Sequence, residues 1–98
     1  MRENIARTLG DVFWSDLAAH VARDAVIIAA TELDLVDVGM ALATNDTLTV
    51  DAWLSAGKLQ KPTAEDVARW SISTNLRFCA VVVRPFVLIH RPVLPAPN

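Results

Sequence analysis

Ile5, Leu9, Val12, Phe13 and Leu17 recur at three-to-four spacing, which puts them on one face and predicts an amphipathic helix over 3–22, weakened but not ended by Gly10. AVIIAA at 25–30 follows with no alternation, the pattern of a strand covered on both faces. Asp34 is placed to cap a helix running to about Ala43, and the polar turn TND at 44–46 ends it. Thr47 opens another short helix in which Val50, Trp53 and Leu54 are expected to face inward, and Gly57 suits its left-handed stop.

The second half reads more strongly as sheet. Lys58 to Lys61 predicts a short strand that cannot extend past Pro62, which has no N–H to give to a ladder. Thr63 followed by Asp66 resembles a capping box, and the helix behind it carries Ala64, Val67, Ala68 and Trp70 to about Ser73. FCAVVV at 78–83 and FVLIH at 86–90 are two strands, because Pro85 after Arg84 cannot sit inside one continuous central strand. The expected fold is therefore α/β (α+β): a single domain over 1–90, in the order α-β-α-α-short β-α-β-β, with a small mixed sheet and helices packed on it. RPVLPAPN, 91–98, is a proline-rich tail. Three strands are apolar on both faces and the helices are few, so a homodimer that covers the surplus strand surface is expected.

With 98 residues, 53% of them hydrophobic, the chain has enough apolar side chains for one core. Its apolar runs are far below the roughly 18 residues of a membrane span, so no membrane association is expected. The N-terminal segment lacks the apolar centre of a secretory signal, and the lone Cys79 excludes a disulfide within the chain. A cytoplasmic location follows as an expectation.

The formal net charge of -2 conceals a segregation. Asp24, Glu32, Asp34, Asp37, Asp46 and Asp51 lie in a stretch, 24–57, with no Lys or Arg, whereas 58–98 holds Lys58, Lys61, Arg69, Arg77, Arg84 and Arg91 against only Glu65 and Asp66. Such a division either steers a partner or lets the acidic middle pack beside the basic end of the same molecule, and the second reading is favoured for a small domain.

Candidate chemistry is sparse. Asp16 and His20 are four apart, and a helix over 3–22 sets both among Ile5, Leu9 and Phe13, where a carboxylate beside an imidazole orients a general base. Cys79 is a candidate nucleophile with His20 or His90 as its base, although a thiol in an apolar strand is more often inert packing. Neither completes a catalytic set, because no oxyanion donors accompany them. Glu32, Asp34 and Asp37 lack the spacing of a calcium loop, two His and one Cys give no zinc pattern, and three scattered glycines give no phosphate cradle; no metal or cofactor is expected.

Residues 34–61 can be drawn as helix, turn, helix and wing, with Lys58, Lys61 and Arg69 as a nucleic-acid contact. The sign of the charge opposes this. The would-be reading helix carries Asp46 and Asp51 and no cation before Lys58, and Trp53 and Trp70 fall at core spacing rather than on a stacking face.

ELDLVDV, AWLSAGKLQKPT and FCAVVVRPFVLI resemble the hallmark segments of a family of small bacterial proteins that carry only a domain-of-unknown-function label. The matching positions are Leu33 to Val36, Trp53, Leu54, Gly57, Leu59, Pro85 and Phe86, with Trp14 and Leu17 in the first helix. Cys79 and His20 depart from the pattern. The resemblance spans nearly the whole chain except the tail, implies a compact bacterial cytoplasmic domain and transfers no catalytic residue. The reading is a small non-enzymatic interaction or regulatory protein, binding a protein partner through an acidic surface of Glu32, Asp34, Asp37, Asp46 and Asp51. Its alternatives are nucleic-acid binding by the basic cluster, a small enzyme using Asp16 and His20, and an inhibitor carried by a mobile element.

Overall fold

Backbone pairing in the computed structural model, which describes residues 2–72 and 76–92, gathers five strands into one mixed sheet. In chain order the elements are α1 (Arg2–Ala6), β1 (Gly10–Phe13), α2 (Trp14–Ala22), β2 (Val26–Ala29), α3 (Leu35–Ala43), α4 (Thr47–Ser55), β3 (Leu59–Gln60), α5 (Ala64–Ser71), β4 (Arg77–Val83) and β5 (Phe86–His90). The sheet order is β1-β4-β5-β2-β3, antiparallel throughout except for the parallel pair β2 and β5. The α+β domain expected from the sequence is the one found.

One expectation fails at the start of the chain. The single helix over 3–22 is two helices with a strand between them, because GDVF pairs with β4 in the register Gly10↔Ala80 to Phe13↔Arg77. Gly10 tips the balance, since a mid-helix glycine costs about 1 kcal/mol while the free edge of β4 offers a ladder. Thr8 extends that edge through its side chain: the Val82 N–H donates to Thr8 Oγ1 at 2.8 Å. Two smaller corrections follow. The strand at 58–61 is confined to Leu59–Gln60, with the Lys58 carbonyl still accepting the Ala30 N–H at 2.8 Å in the same register. Leu54 points outward at 53% exposure, since only Val50 and Trp53 of α4 reach the core.

Alternation along the strands builds two cores, one on each face. Val26, Ile28, Phe78, Ala80, Val87 and Ile89 point to the face covered by α2 and α5, where Leu17 and Trp70 close the packing. Ala29, Val81 and Leu88 point to the other, under Ile5 of α1 and Leu35, Val36 and Val38 of α3. The chain's own helices thus cover both faces, and the argument from surplus strand surface for a second subunit falls away. Trp70 stands edge-on to Phe78 at 5.1 Å between ring centroids, whereas Trp53 is half-buried in the opposite core. The stops are as the sequence predicts: Asp34 accepts the Val36 N–H at 2.8 Å, and Gly57 sits at φ +72°. The proline-rich tail lies, from residue 93 on, outside the described residues, as does Ser73.

Asp66 is buried and makes three hydrogen bonds to two partners. Its carboxylate accepts the Thr63 N–H at 3.0 Å and an Arg91 Nη1 hydrogen at 2.8 Å, while its own N–H donates to Thr63 Oγ1 at 3.1 Å. The start of α5 is thereby fixed to the residue that follows β5. The Arg91 hydrogen bond, outweighing the burial that opposes it, holds the carboxyl below its ordinary value of 3.8.

Two stability predictions follow. A folded-state pKa below the unfolded one means the Asp66 contribution is present above pH 3.8 and is lost as pH falls through the lower folded value. Asp66→Asn is expected to cost about 2 kcal/mol near neutral pH and to flatten the acid limb of a urea-denaturation series, Arg91 being partly exposed. Gly39 of α3 lies so close to the sheet that an added Cβ would meet Val83 Cγ2 at 2.9 Å and Ile5 Cγ2 at 3.0 Å, both on stiff β-branched side chains. Gly39→Ala should lose about 1 kcal/mol in the same assay, overpacking exceeding the gain in helix propensity.

Candidate functional site

The sheet separates the residues that an enzyme would have to bring together. Asp16 stands in the first turn of α2 and is exposed, its carboxylate accepting the Phe13 N–H at 3.0 Å. His20, one turn on, receives a guanidinium hydrogen of Arg23 on Nδ1 at 2.8 Å. Neither lies among Ile5, Leu9 and Phe13, because the helix that would have grouped them is broken at β1. Both belong to the α2 side, while Cys79 packs on the opposite core with α3. The three do not form one site.

Cys79 has a different neighbour. The β4–β5 register, Ala80↔Ile89, sets Cys79 directly across from His90, and the β1–β4 register sets Asp11 on its other side. Asp11, Cys79 and His90 therefore form one cross-strand row, above which a cavity of about 360 Å³ is bounded by Leu9, Leu33 and Asp34. The chemistry of the row is that of a resting thiol. Burial pushes the Cys79 pKa upward, and the negative charges of Asp11 and Asp34 push it further in the same direction. His90 is already engaged, donating from Nε2 to the Leu33 carbonyl at 2.7 Å. An imidazole held by a carbonyl and a thiol held protonated give no nucleophile. This row was missed in the sequence because it depends on strand register across residues 11, 79 and 90.

The charged residues pair across the chain. Lys58 meets Glu32 at 3.5 Å, Lys61 meets Asp24 at 2.6 Å and Arg69 meets Glu65 at 3.6 Å, so each proposed nucleic-acid contact already faces a carboxylate. Of the acidic residues, Asp34 caps α3, and Asp46 caps α4 by accepting from the Thr49 N–H at 3.3 Å and Oγ1 at 2.8 Å. Asp37 and Asp51 are exposed on α3 and α4. Between these helices a shallow groove of about 100 Å³ is lined by Leu42, Asp46, Val50 and Asp51. No residue of α4 is buried, and Leu48 is 84% exposed. Among the described residues no three His, Cys, Asp or Glu side chains are grouped to hold a metal ion, and no helix is long and apolar enough to cross a membrane.

The chain belongs to the family described as "Protein of unknown function (DUF2288)", whose model matches residues 1–91. The solution structure of PA1075 from Pseudomonas aeruginosa is similar to it, with 32% sequence identity over 96% of this chain and 86% of that one and a TM-score of 0.78. Comparison with curated proteins gives no match.

The resting state of Cys79 is directly measurable. Iodoacetamide should modify the native protein slowly at neutral pH, with the rate reaching its half-maximum at a pH above the ordinary thiol value of 9.0. Fast labelling near pH 7 would reinstate Cys79 as a nucleophile.

Proposed function

We propose that the chain is a non-enzymatic interaction protein that binds a protein partner through α4. The observation that carries this is the helix itself. TLTVDAWLS is apolar on several sides, yet none of its residues is buried, and Leu48 and Leu54 are open to solvent. A helix of that composition is normally covered. Asp46 and Asp51 flank the exposed leucines in a stretch without Lys or Arg, so the complementary surface is apolar at its centre and basic at its rim. Of the acidic surface expected from the sequence, this reading keeps Asp46 and Asp51 as contacts, and Asp37 is exposed on α3. Glu32, paired with Lys58, and Asp34, at the α3 cap, lie outside α4 and its own cap.

A catalytic reading has less support, since Asp16 and His20 lie across the sheet from Cys79. Nucleic-acid binding has less support as well, because Lys58, Lys61 and Arg69 each face a carboxylate.

Differential capture from producing cells identifies the partner as the protein held by the wild type and lost by Leu48→Glu/Leu54→Glu. With that protein purified, the double variant should bind at least about tenfold more weakly. Asp51→Lys should weaken binding and remove part of its salt dependence. Circular dichroism should be unchanged, both leucines being exposed. Equal affinity of the wild type and the double variant would sink the proposal.

A further inference from the structure

Where β2 begins and the β4–β5 hairpin turns, the chain leaves a cleft of about 740 Å³, within the size range of small-molecule sites. Its floor is apolar, built from Ala25, Val82 and Val87, and Phe86 also lines it. Its charged groups are two arginines and one aspartate. Arg23, at the end of α2, and Arg84, in the hairpin turn, both line it, and neither meets a carboxylate among the described residues. Lys58, Lys61, Arg69 and Arg91, by contrast, each do.

His20 adds a third group. A guanidinium can only donate, so the 2.8 Å contact from Arg23 makes His20 Nδ1 an acceptor and leaves the ring hydrogen on Nε2. The one carboxylate in the cleft, Asp24, is countered by Lys61 at 2.6 Å. In a chain of net charge -2, the largest of these cavities thus combines two uncompensated guanidinium groups with an apolar floor.

We infer that this cleft binds a small organic oxyanion, a phosphate or carboxylate carried on an apolar ring. The anionic group is held by Arg23 and Arg84, whose planar forks suit two-point recognition of such oxygens. The ring lies on Val82 and Val87, which face each other across the hairpin. Binding here is independent of α4, with which the cleft shares no residue.

Phenyl phosphate and benzoate, titrated into the full chain while the backbone amides of Val82 and Val87 and the His20 ring are followed by NMR, test this directly. Saturable shifts at millimolar ligand are expected, with whichever of the two binds more tightly fixing the anion class. Inorganic phosphate should bind more weakly than phenyl phosphate, and phenol should leave the resonances unmoved. Arg23→Gln/Arg84→Gln should weaken binding by about tenfold or more. Asp24→Asn should tighten it by about threefold, through loss of the one negative charge. Asn is well suited to this position, where φ is 60°, so the variant keeps the backbone. Leu48→Glu/Leu54→Glu should leave binding unchanged, which separates this site from the α4 surface. No saturable shift with either ligand, undiminished binding by the double arginine variant, or equal affinity for inorganic and phenyl phosphate would each overturn the inference.

Discussion

Strands β2, β4 and β5 are apolar on both faces, and the rest of the molecule is arranged by the need to keep both from water. Alternation sends Val26, Phe78 and Val87 to one side and Ala29, Val81 and Leu88 to the other, so one layer of helices cannot suffice. The chain answers by crossing the sheet. It leaves α4, whose Trp53 rests on one core, passes through the two-residue edge strand β3, and enters α5, whose Trp70 closes the other. Gly39 shows how tightly the first layer sits, α3 approaching the sheet within reach of Val83 and Ile5.

Electrostatics follows from the same arrangement. With the interior apolar, charge collects at the rims, and the sheet brings the acidic middle of the chain beside its basic end. Glu32 with Lys58 and Asp24 with Lys61 are pairs of this kind, exposed and individually worth little. Asp66 with Arg91 differs in having a buried carboxylate with its hydrogen bonds satisfied, and it ties α5 to the end of β5. Arg23 and Arg84, which meet no carboxylate among the described residues, and the leucines left uncovered on α4 depart from that economy of pairing.

Much of the fold was legible because its signals are local. Asp34 and Thr63 as caps, Gly57 as a stop, Pro85 as a break between strands and AVIIAA as a doubly covered strand all act over a few residues. The first helix was misread because the three-to-four spacing from Ile5 to Leu17 continues across a strand whose pairing partner lies at 77–80. That one break also removed Asp16 and His20 from the setting that had made them interesting. The site residues were less legible for a related reason: Cys79 finds His90 through register, and Arg23 joins Arg84 at one cleft through the parallel pairing of β2 with β5.

The sequence by itself determined the class of fold, the element boundaries that carry caps or prolines, the segregation of charge and the family, since each is written in composition or short-range pattern. Only the tertiary structure decided which face of the sheet each residue joins, that the charge segregation closes on itself, and which groups are left exposed. Those outcomes depend on pairing between segments tens of residues apart, where a shift of register by one residue sends every side chain to the opposite face.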